Sequence, residues 1–367
     1  MLGLAFIGFV FGLVCSMAII RYAIDHPHNY ASGLPQRFHL GHIPRVGGAA
    51  IFAGIAAGTL GAPLLLTLGI PTQVPIRFAD WAIWCVVLFP MVAAGVYEDL
   101  SSRLSARWRL VITGGAAALA CWLLDLSVPR LDLPVVDLLW ASTPVFGVLL
   151  AFLGLAGMPH ALNIIDGFNG LAGIVTVLVC LALAHVALQL GDRQLAAFML
   201  ITVGATLGFL YWNYPRGLLF AGDGGAYLWG GASALGATLL AARHREVSPW
   251  YPMLLTVYPV WEVIFSTYRK VSRGRSPAVP DSIHFHMLIY RRIVREVFHD
   301  DETRRMLIRN NRTSPYLWGF TLLTVVPAVL FWNNTPALIA FVLVFIASYL
   351  WAYITIVRFK VPRWLRR

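Results

Sequence analysis

Charge is what this chain has least of. Only 12% of its 367 residues are Asp, Glu, Lys or Arg, about half the ~25% of an ordinary soluble domain. With 59% hydrophobic residues and a mean hydropathy of +0.72, a water-soluble globule is excluded. Cysteine is scarce too. Cys15, Cys85, Cys121 and Cys180 all fall inside apolar runs, form no CxxC pair and read as packing residues, not as disulfide or zinc ligands. The first apolar run lacks a basic leader and a small-residue cleavage site, so it is expected to be a retained span and not a cleaved signal. There is no internal repeat and no recognisable nucleic-acid module, so the net charge of +11 is not read as a nucleic-acid footprint.

What the chain does have is apolar runs of about 20 residues, the length needed to cross a hydrocarbon core as helices. Eleven are read, near 2–20, 47–68, 81–97, 110–126, 142–158, 171–190, 195–212, 226–241, 252–268, 317–332 and 336–357. The fifth and eighth are the shortest, and ten spans would result if one of them failed. The expectation is an all-α integral membrane protein of about 11 transmembrane helices, a single polytopic domain over 1–367. A long basic loop over 269–316 carries a His-x-His motif. If the spans alternate from an outside N-terminus, 23 of the 28 Lys and Arg fall on one side, the bias that the positive-inside rule assigns to the cytoplasm. A secondary use of this charge is attraction to anionic membrane lipids.

The same face collects the informative polar residues. Glu98-Asp99 follows the third span, and two adjacent carboxylates repel unless they share a cation or a proton. Asn163, Asp166 and Asn169 recur every three residues in a glycine-rich stretch; were that stretch helical, they would share a face. The following helix start offers free N–H groups to an anion or a base edge. Asp223 stands among Gly222, Gly224 and Gly225 at the mouth of the eighth span, where a lone carboxylate on a tight backbone suits Mg²⁺. His284 and His286 have no cysteine or third histidine to complete a zinc set. With Arg275 nearby they suit phosphate contacts. Glu262, inside the ninth span, is suspect of function because a buried charge there is costly. Asp25, His39 and His42 of the first loop could face the same cavity.

Together these motifs resemble the polyprenyl-phosphate N-acetylhexosamine-1-phosphate transferases, in the right order over most of the chain. The resemblance rests on Gln36-Arg37-Phe38-His39 through Arg45-Val46-Gly47-Gly48, Glu98-Asp99, Asn163 to Gly170, Phe220 to Asp223, and Ser276-Pro277 to His286. It implies transfer of a hexosamine 1-phosphate from a UDP-N-acetylhexosamine to undecaprenyl phosphate with release of UMP, dependent on Mg²⁺ or Mn²⁺, in a bacterial inner membrane. It also implies Asp223 as a metal ligand with Glu98, and Glu98 and Asp99 as the pair that holds or deprotonates the lipid phosphate. Phe220, Asn163, Asp166, Asn169 and Asn213 are implied as nucleotide contacts, and Arg45, Arg275, His284 and His286 as phosphate or sugar contacts. The acidic pair is Glu-Asp here where the family has Asp-Asp, Asn169 replaces an Asp, Ala226 replaces a Ser and Met287 replaces a histidine. The Asp25-x-Pro start and the His284-x-His286 form resemble GlcNAc-type members that prime O-antigen, capsule or teichoic-acid glycans more than the muramoyl-pentapeptide branch. Direct attack is preferred over a covalent aspartyl route, and a homodimer is compatible with the sequence. The alternative from another class is a secondary transporter of an anionic or nucleotide-sugar substrate, but its polar residues would sit near the bilayer midplane.

Overall fold

A computed structural model describes residues 1–22, 43–69, 77–276, 281, 283–295 and 297–358, and every regular element among them is a helix. Asp25, His39 and His42 lie outside the described residues. The helices are α1 (Leu2–Tyr22), α2 (Gly47–Thr67), α3 (Phe78–Ser101), α4 (Ala106–Leu123), α5 (Pro134–Ser142), α6 (Val145–Ile165) and α7 (Leu171–Gln189). They continue with α8 (Arg193–Asn213), α9 (Gly222–Arg243), α10 (Trp250–Val271), α11 (Phe285–Arg292), α12 (Glu302–Leu330) and α13 (Thr335–Val357).

Each of the eleven expected runs corresponds to a long helix, and α5 and α11 are short connectors. Among the described residues eight helices are long and apolar enough to cross a membrane, which makes the chain a multi-pass membrane protein. The three that fall short are α4, α9 and α10. α4 opens with Arg107 and Arg109, and α10 carries Glu262, Arg269 and Lys270. α9 is diluted by glycine, yet nearly all of it is buried among its neighbours. A helix wrapped in protein need not match lipid in apolarity, because other helices, not acyl chains, are its solvent.

α9 is the central post. It packs on α2, α3, α6, α7 and α8, and its glycines are where the neighbouring backbones come closest. A Cβ at Gly48 would lie 2.2 Å from the Gly225 nitrogen, and one at Gly95 would lie 2.3 Å from the Gly224 nitrogen. No side chain fits at either crossing, so α2 and α3 meet α9 backbone to backbone at its first turn. Two expectations change here. Asp223 does not precede the eighth span but sits inside the first turn of α9, three residues before the run as read. The stretch 163–173 is not one helix: α6 ends at Ile165, the chain breaks over 166–170, and α7 starts at Leu171. Asn163, Asp166 and Asn169 therefore share no helical face.

Candidate active site

The ends of α3, α6 and the starts of α4, α9 converge at one end of the bundle, and the carboxylates lie at that junction. Asp99, in the last turn of α3, accepts from the backbone N–H of Asp223 (3.0 Å) and of Gly224 (3.0 Å). It thus caps the positive end of α9 in place of a residue from α9 itself, a favourable seat for an anion. Gly222 makes this approach geometrically feasible. Its φ is +68°, and a Cβ there would lie 1.9 Å from the Arg45 carbonyl oxygen and 2.3 Å from Asp99 Oδ2. The segment before α2 locks against the same turn: Phe220 N donates to Pro44 O, Gly47 N to Phe220 O and Gly48 N to Ala221 O, each at 2.9 Å.

Asp223 projects into a ring of partners drawn from two other elements and its own helix. Arg109 of α4 donates to its Oδ2 at 2.6 Å, Asn163 of α6 donates to its Oδ1 at 2.8 Å, and the Tyr227 hydroxyl lies 3.4 Å from Oδ2. Such a charge-assisted contact is the strong kind of hydrogen bond. His160, one turn before Asn163, meets Thr113 of α4 at 3.0 Å and stacks edge-on with Tyr227 at 5.1 Å. Glu98 Oε2 accepts from Leu104 N at 2.7 Å, closing the α3–α4 turn, while its charge reaches Arg109.

The remaining sequence-selected residues form a second group along the break between α6 and α7. Asp166 is half-buried; loss of water pushes its carboxyl up to about 7, a shift the Arg45 charge opposes and the Asp223 charge reinforces. Asn169 is drawn to α12: its N–H donates to Asn310 Oδ1, its amide nitrogen to Asn311 Oδ1, and its carbonyl accepts from Ser314. Its own Oδ1 is buried without a partner. Asn213 ties two loops together, accepting from Gly170 N at 2.7 Å and donating to Leu219 O at 2.8 Å. Phe220 is half-buried beside Arg45, and Arg275 is exposed.

His286 meets the same break from the other side. Its ring packs edge-on to Phe168 at 5.7 Å, and a Cβ at Gly167 would lie 3.1 Å from its Nε2. Among the described residues neither buried ring nitrogen has a partner, and burial drives its pKa down to about 3, helped by the nearby charge of His284. The short stretch 163–167 thus touches Asp223 at one end and His286 at the other.

Arg109, Tyr227, His160 and the Asn310–Asn311 pair escaped the sequence reading. Arg109 counted there only as loop charge, and nothing in Arg107-Trp108-Arg109 says which arginine reaches a carboxylate 114 residues away. Asn310-Asn311, a polar pair in the arginine-rich first half of α12, was the one visible signal.

Among the described residues no three His, Cys, Asp or Glu side chains gather as a ready ion cage. The arrangement suits Mg²⁺ nonetheless, since that ion keeps waters and usually takes one or two carboxylates plus substrate phosphates. The Asp99–Asp223 juncture offers that number, and Arg109 already supplies a positive charge at the same carboxylate.

Residues 81–241 match the model of glycosyl transferase family 4. The chain is 27% identical over 281 residues to a probable undecaprenyl-phosphate N-acetylglucosaminyl 1-phosphate transferase of Bacillus subtilis, covering 75% of this chain and 71% of that protein. It is 28% identical over 265 residues to a phospho-N-acetylmuramoyl-pentapeptide-transferase of Granulibacter bethesdensis, covering 62% and 70%. It is 30% identical over 207 residues to an undecaprenyl-phosphate alpha-N-acetylglucosaminyl 1-phosphate transferase of Thermotoga maritima, covering 56% and 60%. The matched region runs from α3 to α9 and so holds both carboxylates, Arg109 and the α6–α7 break.

Proposed function

We propose, from the premise that this chain belongs to glycosyl transferase family 4 over residues 81–241, that it moves a sugar 1-phosphate from a UDP-N-acetylhexosamine, GlcNAc first among them, to undecaprenyl phosphate. The observation that carries this reading is the Asp99–Asp223 juncture, where two helix ends, an arginine and an asparagine converge on adjacent carboxylates. Phosphoryl transfer asks a protein for positioning and charge neutralisation more than for covalent chemistry.

In this scheme an oxygen of the lipid phosphate attacks the β-phosphorus of the nucleotide sugar. The bond to the α-phosphate oxygen breaks, and UMP leaves. Asp99, whose oxygens each keep a free lone pair beside their bond to α9, holds or takes the proton of the incoming lipid phosphate. Asp223, with Asp99 or Glu98, would hold Mg²⁺, whose charge would stabilise the diphosphate and the departing UMP. Arg109 stands ready to pass from Asp223 to a phosphate oxygen. Arg45, next to Phe220 and acting on Asp166, supplies positive charge between the carboxylates and the α6–α7 break, where Asn169 and Asp166 are placed to read the base. The charge bias along the sequence supports this end of the bundle facing the bacterial cytoplasm, with the N-terminus outside. The product is a lipid diphosphate sugar fit to prime a surface glycan.

The test is turnover of the purified protein with radiolabelled UDP-GlcNAc, undecaprenyl phosphate and Mg²⁺, beside UDP-MurNAc-pentapeptide, an EDTA control and Asp223→Asn. Label should enter the lipid phase only with metal and intact Asp223, and the Asn variant should lose about 10³-fold in rate, as when a charge-stabilising group is removed. Transfer from a different UDP-sugar keeps the reaction and changes the donor. Silence with every UDP-sugar ends the transferase reading and favours a transporter.

A further inference from the structure

α10 is a long helix with two charged residues fully inside the protein. Glu262 is 0% exposed and Arg269 only 6%, and seven residues apart they lie on one face of the helix, two turns from each other. Replacing a buried ion pair by apolar side chains of similar size is often neutral or stabilising, so packing alone does not account for them. Both reach the same short segment. Arg269 pairs with Asp281, which also accepts from Ser266 at 3.2 Å. Glu262 Oε1 accepts from His284 Nδ1 at 2.9 Å and from Phe285 N at 3.2 Å, and its Oε2 accepts from the Tyr349 hydroxyl of α13 at 2.7 Å. Tyr353, one turn on, donates to Ile283 O at 3.3 Å. Asp281 and residues 283–285 are therefore clamped between α10 and α13.

The clamp determines more than backbone position. Glu262 can only accept, so His284 carries a proton on Nδ1, and Nε2 is the nitrogen that faces away from the carboxylate. His284 in turn lies parallel to His286, with centroids 5.4 Å apart and planes within 6°. His286 presses its unpartnered Nε2 against Gly167, beside Asp166. An unbroken series runs from a carboxylate inside α10, through two stacked imidazoles, to the stretch that also holds Asp223.

We infer that Glu262 is a positioning residue for the transfer reaction: it holds the Nδ1 proton and ring plane of His284, and through the stack the ring plane of His286, so that their nitrogens meet the diphosphate of the sugar donor. This rests on the transferase reading and extends it to a residue outside the matched region. A partner that orients a ligating or catalytic histidine typically matters about 10- to 100-fold when removed.

The experiment compares wild type with Glu262→Leu and Glu262→Gln for turnover and for binding of UDP and of uridine by calorimetry. Leu removes the acceptor and leaves an apolar side chain of similar size; Gln keeps an acceptor oxygen without the charge. The expected result is an about 100-fold loss of kcat/KM in the Leu variant and about 10-fold in the Gln variant. UDP affinity should fall towards that of uridine, while uridine affinity stays as in wild type. A residue that served packing alone would weaken both ligands equally or neither. Wild-type turnover and an unchanged ratio of UDP to uridine affinity in a folded Leu variant overturn the inference. Should the Leu variant not elute as a single species, the near-isosteric Gln variant decides by the same ratio. Failure of the transferase reading looks different: wild type itself then transfers nothing, whatever stands at 262.

Discussion

The two halves of the candidate site handle their polar groups in opposite ways. In the carboxylate half, both oxygens of Asp99 and both of Asp223 have protein partners, and the backbone is so tight that a side chain cannot be added at Gly48, Gly95 or Gly222. In the histidine half, His286 is just as buried, yet neither ring nitrogen has a partner among the described residues. An unmade hydrogen bond in an interior costs free energy that a made one does not. The first half is thus complete as folded, and the second stores a cost that a ligand could relieve. The difference teaches where stability and activity should part company.

Breaking the tight half should have the largest effect. Gly222→Ala forces a Cβ into the Arg45 carbonyl and strains a left-handed backbone, for a combined loss of about 3 kcal/mol. The thermal midpoint in detergent should fall by several degrees with turnover abolished; an unshifted midpoint would mean that α9 and the segment before α2 are not locked as described. In the histidine half the sign reverses. His286→Leu removes two unsatisfied nitrogens and should stabilise the protein by about 1–3 kcal/mol, while turnover drops. A destabilised Leu variant would show that His286 has partners in solution.

The effects of pH sharpen the contrast because the two halves slope in opposite directions. Folded His286 protonates near 3, well below an ordinary histidine. The unfolded chain therefore binds the extra proton first, and stability declines as pH falls below the usual histidine range. Folded Asp166 titrates near 7, above the usual carboxylate range. There the folded chain holds the proton more tightly, so stability declines as pH rises from that range to about 7. Thermal midpoints of His286→Leu and Asp166→Asn against wild type from pH 4 to 8 should diverge at opposite ends; parallel curves would remove both assignments.

Parts of this site could be read from the residues alone. Asp223 among its glycines, the Glu98-Asp99 pair and the His284-x-His286 motif stand out in a chain with little charge, because an apolar background makes each polar residue conspicuous. Their partners could not be read. Arg109 resembled every other loop arginine, and nothing in the sequence marked Tyr227, which α9 turns towards Asp223. The even spacing of Asn163, Asp166 and Asn169 suggested one face, yet the break after Ile165 sends the first to α9 and the last to α12. Helix periodicity says nothing of where a glycine-rich chain will break.

The helices were determined by the sequence itself. Backbone groups in hydrocarbon must be satisfied within the segment, so an apolar run of sufficient length has one structure available to it. The eleven runs accordingly sit where the long helices are. What only the tertiary structure decided is which helix ends meet. Glu262 meeting His284, Asp99 capping α9 and Asn310 reaching Asn169 depend on packing between segments 22 to 141 residues apart. That packing is set by close backbone contact at glycines and by satisfaction of buried polar groups, neither of which is a property of any one segment.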